Sequence, residues 1–153
     1  MSDKKITRYL DDFQEGSTLD CGAYTFTQEE IIRFATEFDP QPFHIDPEAA
    51  LNSPYGGIIA SGWHTVSIMM RLMVDGFISS SSSMGSPGVD EVRWLKPVRP
   101  GDTVTVRVHV QSVTPSKSKP DRGIVKSLME CKNQDDDPVM TVQGMGMYLR
   151  RPQ

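Results

Sequence analysis

Residues 58–77, IIASGWHTVSIMMRLMVDGF, place the strongest constraint on how this chain folds. Val66, Met69, Met70, Met73 and Phe77 recur at helical spacing and define one apolar face. Ile68 and Leu72 fall outside that stripe, so the apolar surface is too broad for a helix lying on a protein's exterior. Other structure has to wrap around it. Ser61 is a suitable N-cap, which predicts a helical start at Gly62.

The wrapping comes from the second half of the chain. Segments 89–95, 103–113, 123–131 and 139–149 are each rich in β-branched residues or alternate apolar with polar. Turn chemistry at 97–102, 114–122 and 132–138 separates them. With 21–26 as a weaker early strand, the pattern predicts an α+β chain, an antiparallel sheet curled around the central helix. Five serines at 79–83, followed by Gly85-Ser86-Pro87-Gly88, predict a mobile loop between helix and sheet. Residues 1–20 read as an extended lead-in with a turn at Glu15-Gly16. At 153 residues, the whole span 1–153 is expected to form one domain.

Composition narrows the function classes. A net charge of −4 with no basic stripe argues against nucleic acid as a partner. No apolar run approaches the roughly 20 residues that a membrane helix needs. The opening MSDKKITRYLDDF has no apolar signal core, so export is not expected. Cys21 and Cys131 lack metal-ligand or redox spacing, which suits a reducing cytoplasm.

The chemistry is concentrated in FATEFDPQPFHIDPEAA, residues 34–50. Thr27 and Glu30 have the form of a capping box, and Ile31, Phe34, Ala35 and Phe38 share a face, predicting a helix over 28–38. Pro40 and Pro42 bias Asp39 and Gln41 out of helical geometry. Asp46-Pro47-Glu48 then caps a short helix over about 47–52. Asp39 and His44 are thus expected on a stiff, proline-punctuated loop, able to aim a carboxylate and an imidazole at one water. The backbone N–H of Gly62, at a helix start, is a candidate donor for a developing oxyanion. Each group also has a plainer role. Asp39 can simply end its helix, His44 can be a packed structural histidine, and His64 is expected among apolar neighbours. Asp39, His44, Asp46 and His64 match no strong metal-binding spacing. On the residues alone, an enzyme and a binding protein both remain open.

Asp39-Pro40-Gln41-Pro42-Phe43-His44-Ile45-Asp46, followed by Ile59-Ala60-Ser61-Gly62-Trp63, resembles the signature of the MaoC-like hydratases and dehydratases, relatives of (R)-specific enoyl-CoA hydratases. VRWLKPVRPGDTV, residues 92–104, resembles a strand-and-turn segment widespread in hotdog-fold proteins. Two positions depart from the family pattern: Gln41 stands for the usual asparagine and Ser61 for the usual histidine. The resemblance implies a hotdog fold assembled at least as a homodimer, acting on acyl-CoA thioesters without metal or redox cofactor. It implies that Asp39 and His44 hold the reacting water, that Gly62 N–H polarises the thioester carbonyl, and that Phe43, Ser61 and Trp63 contact substrate. Lys96, Arg99, Lys117, Lys119 and Arg122 are candidate contacts for coenzyme A phosphates by charge and loop position. The alternatives are a hotdog acyl-CoA thioesterase and a non-catalytic acyl-thioester-binding subunit.

Overall fold

The computed structural model describes residues 6–153. Strand β1 is Thr18–Thr25, and helices α1 to α4 are Gln28–Phe38, Pro42–Ile45, Pro47–Leu51 and Gly62–Gly76. Strands β2 to β5 follow at Val89–Trp94, Thr103–Pro115, Arg122–Lys132 and Pro138–Leu149. They form one antiparallel sheet in the order β1-β3-β4-β5-β2.

Alternation along the strands decides which side faces α4. Val104, Val106, Val108 and Val110 on β3 are buried, as are Val125, Ser127, Met129 and Cys131 on β4. All but Ser127 pack with Met69, Leu72 and Met73 of α4 in a single core cluster. Each such apolar side chain contributes about 1.5–3 kcal/mol by leaving water. This is the hotdog fold, an α+β architecture with the sheet around the central helix.

Helix α4 lies chiefly over β1 and β3. Its other flank, with Trp63, Met70 and Val74 exposed, borders an apolar cavity of about 390 Å³ reaching Val89, Val92 and Val142. Among the described residues, strand β2 is a sheet edge, paired only with β5. No helix among the described residues is long and apolar enough to cross a membrane.

Local structure departs from expectation at five places. The lead-in, described from residue 6 with 1–5 outside the described residues, is not extended throughout, since Leu10–Asp12 form a 3-10 turn. Strand β1 starts three residues before the predicted 21, and its pairing with β3 shifts register between Asp20 and Ala23. Thr27 caps α1 by accepting from Glu30 N at 3.2 Å, but the Glu30 carboxylate turns away and accepts from Tyr24 Oη at 2.7 Å. The one-turn helix α2 was not expected, although Gln41-Pro42 is an N-cap followed by a proline at the first helical position. The serine tract is a packed turn, not a mobile loop. Ser79 and Ser82 are fully buried, and their hydroxyls donate to the backbone carbonyls of Ile6 and Arg8. Arg8 in turn donates to Phe77 O at 2.6 Å.

Candidate active site

Asp39 is the C-cap of α1, its N–H donating to Ala35 O at 2.8 Å. Pro40 prevents the helix from continuing, which leaves the carboxylate beyond the last turn. Gln41 and Pro42 then start α2, whose single turn carries His44. The His44 ring is 5% exposed and its Nδ1 lies 2.7 Å from Ile59 O. A carbonyl oxygen only accepts, so Nδ1 carries a ring proton and Nε2 is the nitrogen turned toward Asp39. Nε2 is 3.3 Å from Asp39 Oδ2. The Phe43 ring meets His44 edge-on at 4.5 Å between centroids, and Ile59 N returns a bond to Phe43 O at 3.2 Å. The imidazole therefore has little freedom to turn.

Both Asp39 oxygens are held. Gln41 Nε2 donates to Oδ1 and Ser61 Oγ to Oδ2, each at 2.7 Å. Burial pushes this carboxyl up, but the Gln41 and Ser61 bonds and the nearby His44 outweigh it and hold the group below its ordinary range. Ser61 occupies the N-cap position of α4 but makes no side-chain cap bond; its hydroxyl goes to Asp39 instead. It is fully buried and does not line the cleft, unlike Phe43 and Trp63. Asp46, by contrast, caps α3 by accepting from Glu48 N and Ala49 N at 3.0 and 3.3 Å.

Gly62 opens α4, and its N–H has no hydrogen-bond partner among the described residues. The close approach that requires glycine here is an indole: a Cβ on Gly62 would collide with Trp94 Cε2 and Nε1 and sit 2.9 Å from Cδ1. Asp39, His44 and Gly62 line one cleft of about 420 Å³ together with Phe43, Trp63 and Trp94. A carboxylate, a base and a free backbone donor thus face one space.

Lys96 also lines this cleft, with Nζ 2.6 Å from Asp137 Oδ2. Arg99 donates to Tyr55 O at 2.7 Å and shapes the neighbouring loop. Lys117, Lys119 and Arg122 belong to the β3–β4 hairpin tip. That tip lies at the far end of β3, roughly 40 Å along the strand from Thr103. None of these three lines the cleft.

His64 lies outside the cleft. It stacks on Phe34 at 4.7 Å and meets Phe26 edge-on at 4.9 Å. Its Nε2 is 3.8 Å from Glu30 Oε1, and burial pushes its pKa down. Among the described residues no group of three or more His, Cys, Asp or Glu side chains is placed to hold a metal ion. Trp94 and Thr65 line the cleft but were not anticipated. The signal for Trp94 lay in RWLKPV, where the chain leaves a strand beside a proline turn, though nothing local aims the ring at residue 62.

Known proteins share this arrangement of elements. The family model described as "MaoC like domain" matches residues 12–130. YdeM of Bacillus subtilis (strain 168) is 31% identical over 127 residues, covering 83% of this chain and 89% of that protein. The (R)-specific enoyl-CoA hydratase of Rhodospirillum rubrum is 29% identical over 123 residues, with 76% and 78% covered. The crystal structure of a MaoC-like dehydratase from Rhodospirillum rubrum superposes with a TM-score of 0.89 at 41% identity, covering 96% of this chain and all of that one. On the extent of the family match and the agreement with that structure, the chain belongs to the MaoC-like domain family of hydratases and dehydratases.

Proposed function

We propose that the protein hydrates 2-enoyl-CoA thioesters, or runs the reverse dehydration, with (R) stereochemistry, as one MaoC-like domain spanning the chain. The observation that carries this reading is the 3.3 Å approach of His44 Nε2 to Asp39 Oδ2, in a cleft shared with the unpartnered N–H of Gly62. A water held between the two side chains loses a proton to His44 Nε2 as its oxygen bonds to C3. The electron pair of the C2–C3 double bond moves toward the thioester oxygen, where Gly62 N–H stabilises the developing charge. Imidazolium then returns the proton to C2, and the pair leaves the oxygen. Asp39 accepts a hydrogen bond from the second O–H of the water, which stays on oxygen as the new hydroxyl, and its charge favours the imidazolium. Phe43 and Trp63 bound the acyl group, Ser61 acts behind Asp39, and Lys96 is the basic residue placed for coenzyme A. No metal or redox cofactor takes part.

A homodimer belongs to the same reading. The unpaired edge of β2 and the exposed Trp63, Met70, Val74 and Val89 form a surface that a second copy would cover. The site would then lie near the subunit boundary, in a cytoplasmic enzyme. Light scattering on the purified protein should give about twice the 17.1 kDa chain mass.

The decisive assay follows loss of enoyl absorbance from crotonyl-CoA and longer 2-enoyl-CoAs, with product chirality and free thiol measured alongside. Asp39→Asn and His44→Ala should each lower turnover by about 10²–10⁴-fold while remaining folded. Thiol release in place of hydration would identify a thioesterase. Binding without turnover, unaffected by Asp39→Asn, would identify a non-catalytic acyl-thioester-binding subunit.

A further inference from the structure

The three atoms of Trp94 nearest the Cβ direction of Gly62 are Cε2, Nε1 and Cδ1, the corner of the indole that carries its only N–H. An aromatic ring placed for apolar packing alone gains nothing by presenting that corner to a glycine Cα, which accepts no hydrogen bond. Indole nitrogen is a donor only; Trp94 is 46% exposed, and among the described residues its Nε1 has no protein acceptor. The N–H groups of Gly62 and Trp63 lack partners too. Side-chain and backbone donors therefore lie side by side in the lining of one cleft, with no protein acceptor among the described residues.

The two elements holding these donors are rigid and independent. Trp94 ends β2, where its Cα pairs with Met140, and Leu95 N fixes the exit by donating to Val139 O at 2.9 Å. Trp63 crosses the Trp94 ring at 77° with centroids 5.2 Å apart, limiting rotation of the indole. Helix α4 supplies Gly62 as its first residue. The close contact of Trp94 Nε1 with the Cβ position of Gly62, added to the Cβ–Cα and Cα–N bond lengths, keeps the two nitrogens within about 5.5 Å of each other. Two donors that far apart can share one oxygen at roughly 2.9 Å from each.

We propose that Trp94 Nε1–H is a second catalytic donor to the thioester oxygen, paired with Gly62 N–H. The assignment rests on the hydratase reading above and adds a side chain to what that reading leaves to the backbone. As water adds at C3, charge arriving on the thioester oxygen is held by both N–H groups. It leaves again when C2 takes its proton, and the indole keeps its own proton throughout. The role also explains why glycine is needed at 62: any Cβ would push the indole corner off the helix start.

Trp94→Phe keeps an aromatic ring against Gly62 and removes only the donor. With crotonyl-CoA, kcat should fall about 10–100-fold, with KM within about threefold and the melting temperature nearly unchanged. A second readout needs no turnover. The thioester carbonyl stretch of bound butyryl-CoA should move to lower frequency in the wild type and less so in Trp94→Phe. Full kcat in Trp94→Phe with an unchanged carbonyl shift overturns the donor role and leaves the hydratase reading intact. No crotonyl-CoA hydration by the wild type, with a carbonyl shift that still depends on Trp94, overturns the hydratase reading and supports the donor. A carbonyl shift indifferent to residue 94 in a wild type without turnover overturns both.

Discussion

Ser61→Ala isolates a single hydrogen bond at the centre of the site. Ser61 is fully buried, and its hydroxyl donates to Asp39 Oδ2 at 2.7 Å. The acceptor is a carboxylate, and a bond to a charged group contributes about 1.5–3 kcal/mol. Removing it leaves Asp39 with Gln41 as its remaining side-chain hydrogen-bond donor, on the other oxygen. The Asp39 side chain is 20% exposed, so water can reach it and recover part of the loss. The effect on folding should therefore stay near about 1 kcal/mol. The effect on turnover should be larger, because Oδ2 is also the oxygen facing His44 Nε2. A loss of about 1.5–3 kcal/mol in the transition state corresponds to roughly a 10–150-fold fall in kcat. The assay is enoyl-CoA hydration at saturating substrate, with thermal unfolding measured on the same preparation. The Asp39 carboxyl should also titrate higher than in the wild type, since one of the bonds holding it down is gone. Wild-type kcat in a folded Ser61→Ala protein would refute the idea that Ser61 acts through Asp39.

Other outcomes follow from burial and charge. Val108 is fully buried on β3, and truncation to Ala should cost about 2 kcal/mol, lowering the melting temperature by roughly 4–8 °C. Burial depresses the His64 pKa from its ordinary 6.5, so the unfolded chain takes up the proton first. Stability from this group should be complete above about pH 6.5 and fall as pH drops below it, levelling once the lowered native value is passed. His64→Gln should flatten that slope in melting temperatures measured from pH 8 to pH 5. Asp39 runs at lower pH: its contribution is present above the unfolded value of 3.8 and is lost as pH falls through the lower native one. Acid unfolding should therefore be less steep in Asp39→Asn. Burial pushes Cys21 up to about 11 and Cys131 to about 12, so neither thiol should react with a disulfide reagent near pH 8 until the protein is unfolded.

The parts of the fold that were legible in the sequence were those governed by neighbours in the chain. Helix α1 has its predicted limits because Thr27 caps one end and Pro40 follows the other. The β3, β4 and β5 runs were visible because each buries alternate side chains on one face of the sheet. Contacts between distant residues were not visible. The Glu30 carboxylate satisfies the spacing of a capping box, yet Tyr24 and His64 draw it elsewhere. Ser61 has the type and position of an N-cap, yet its hydroxyl donates to Asp39, 22 residues earlier. Asp39 and His44 could be singled out because two prolines restrict the chain between and around them. The approach of Trp94 to Gly62 depends on how β2 leaves the sheet, which no local pattern encodes.

The serine tract carries a consequence for how this chain can vary. Its partners fall on both sides: Ser79 and Ser82 hold the segment at Ile6 and Arg8, Ser83 bridges Tyr148, and Leu149 N donates to Ser82 O at 2.9 Å. Runs of one amino acid commonly gain or lose a unit, and in a spacer such a change passes unnoticed. Here the tract works as a ruler between α4 and the last strand. Deleting one serine would leave the local composition unchanged but misplace every contact on one side of the gap. Substitutions at Ser80 should be tolerated where a change in the number of residues is not.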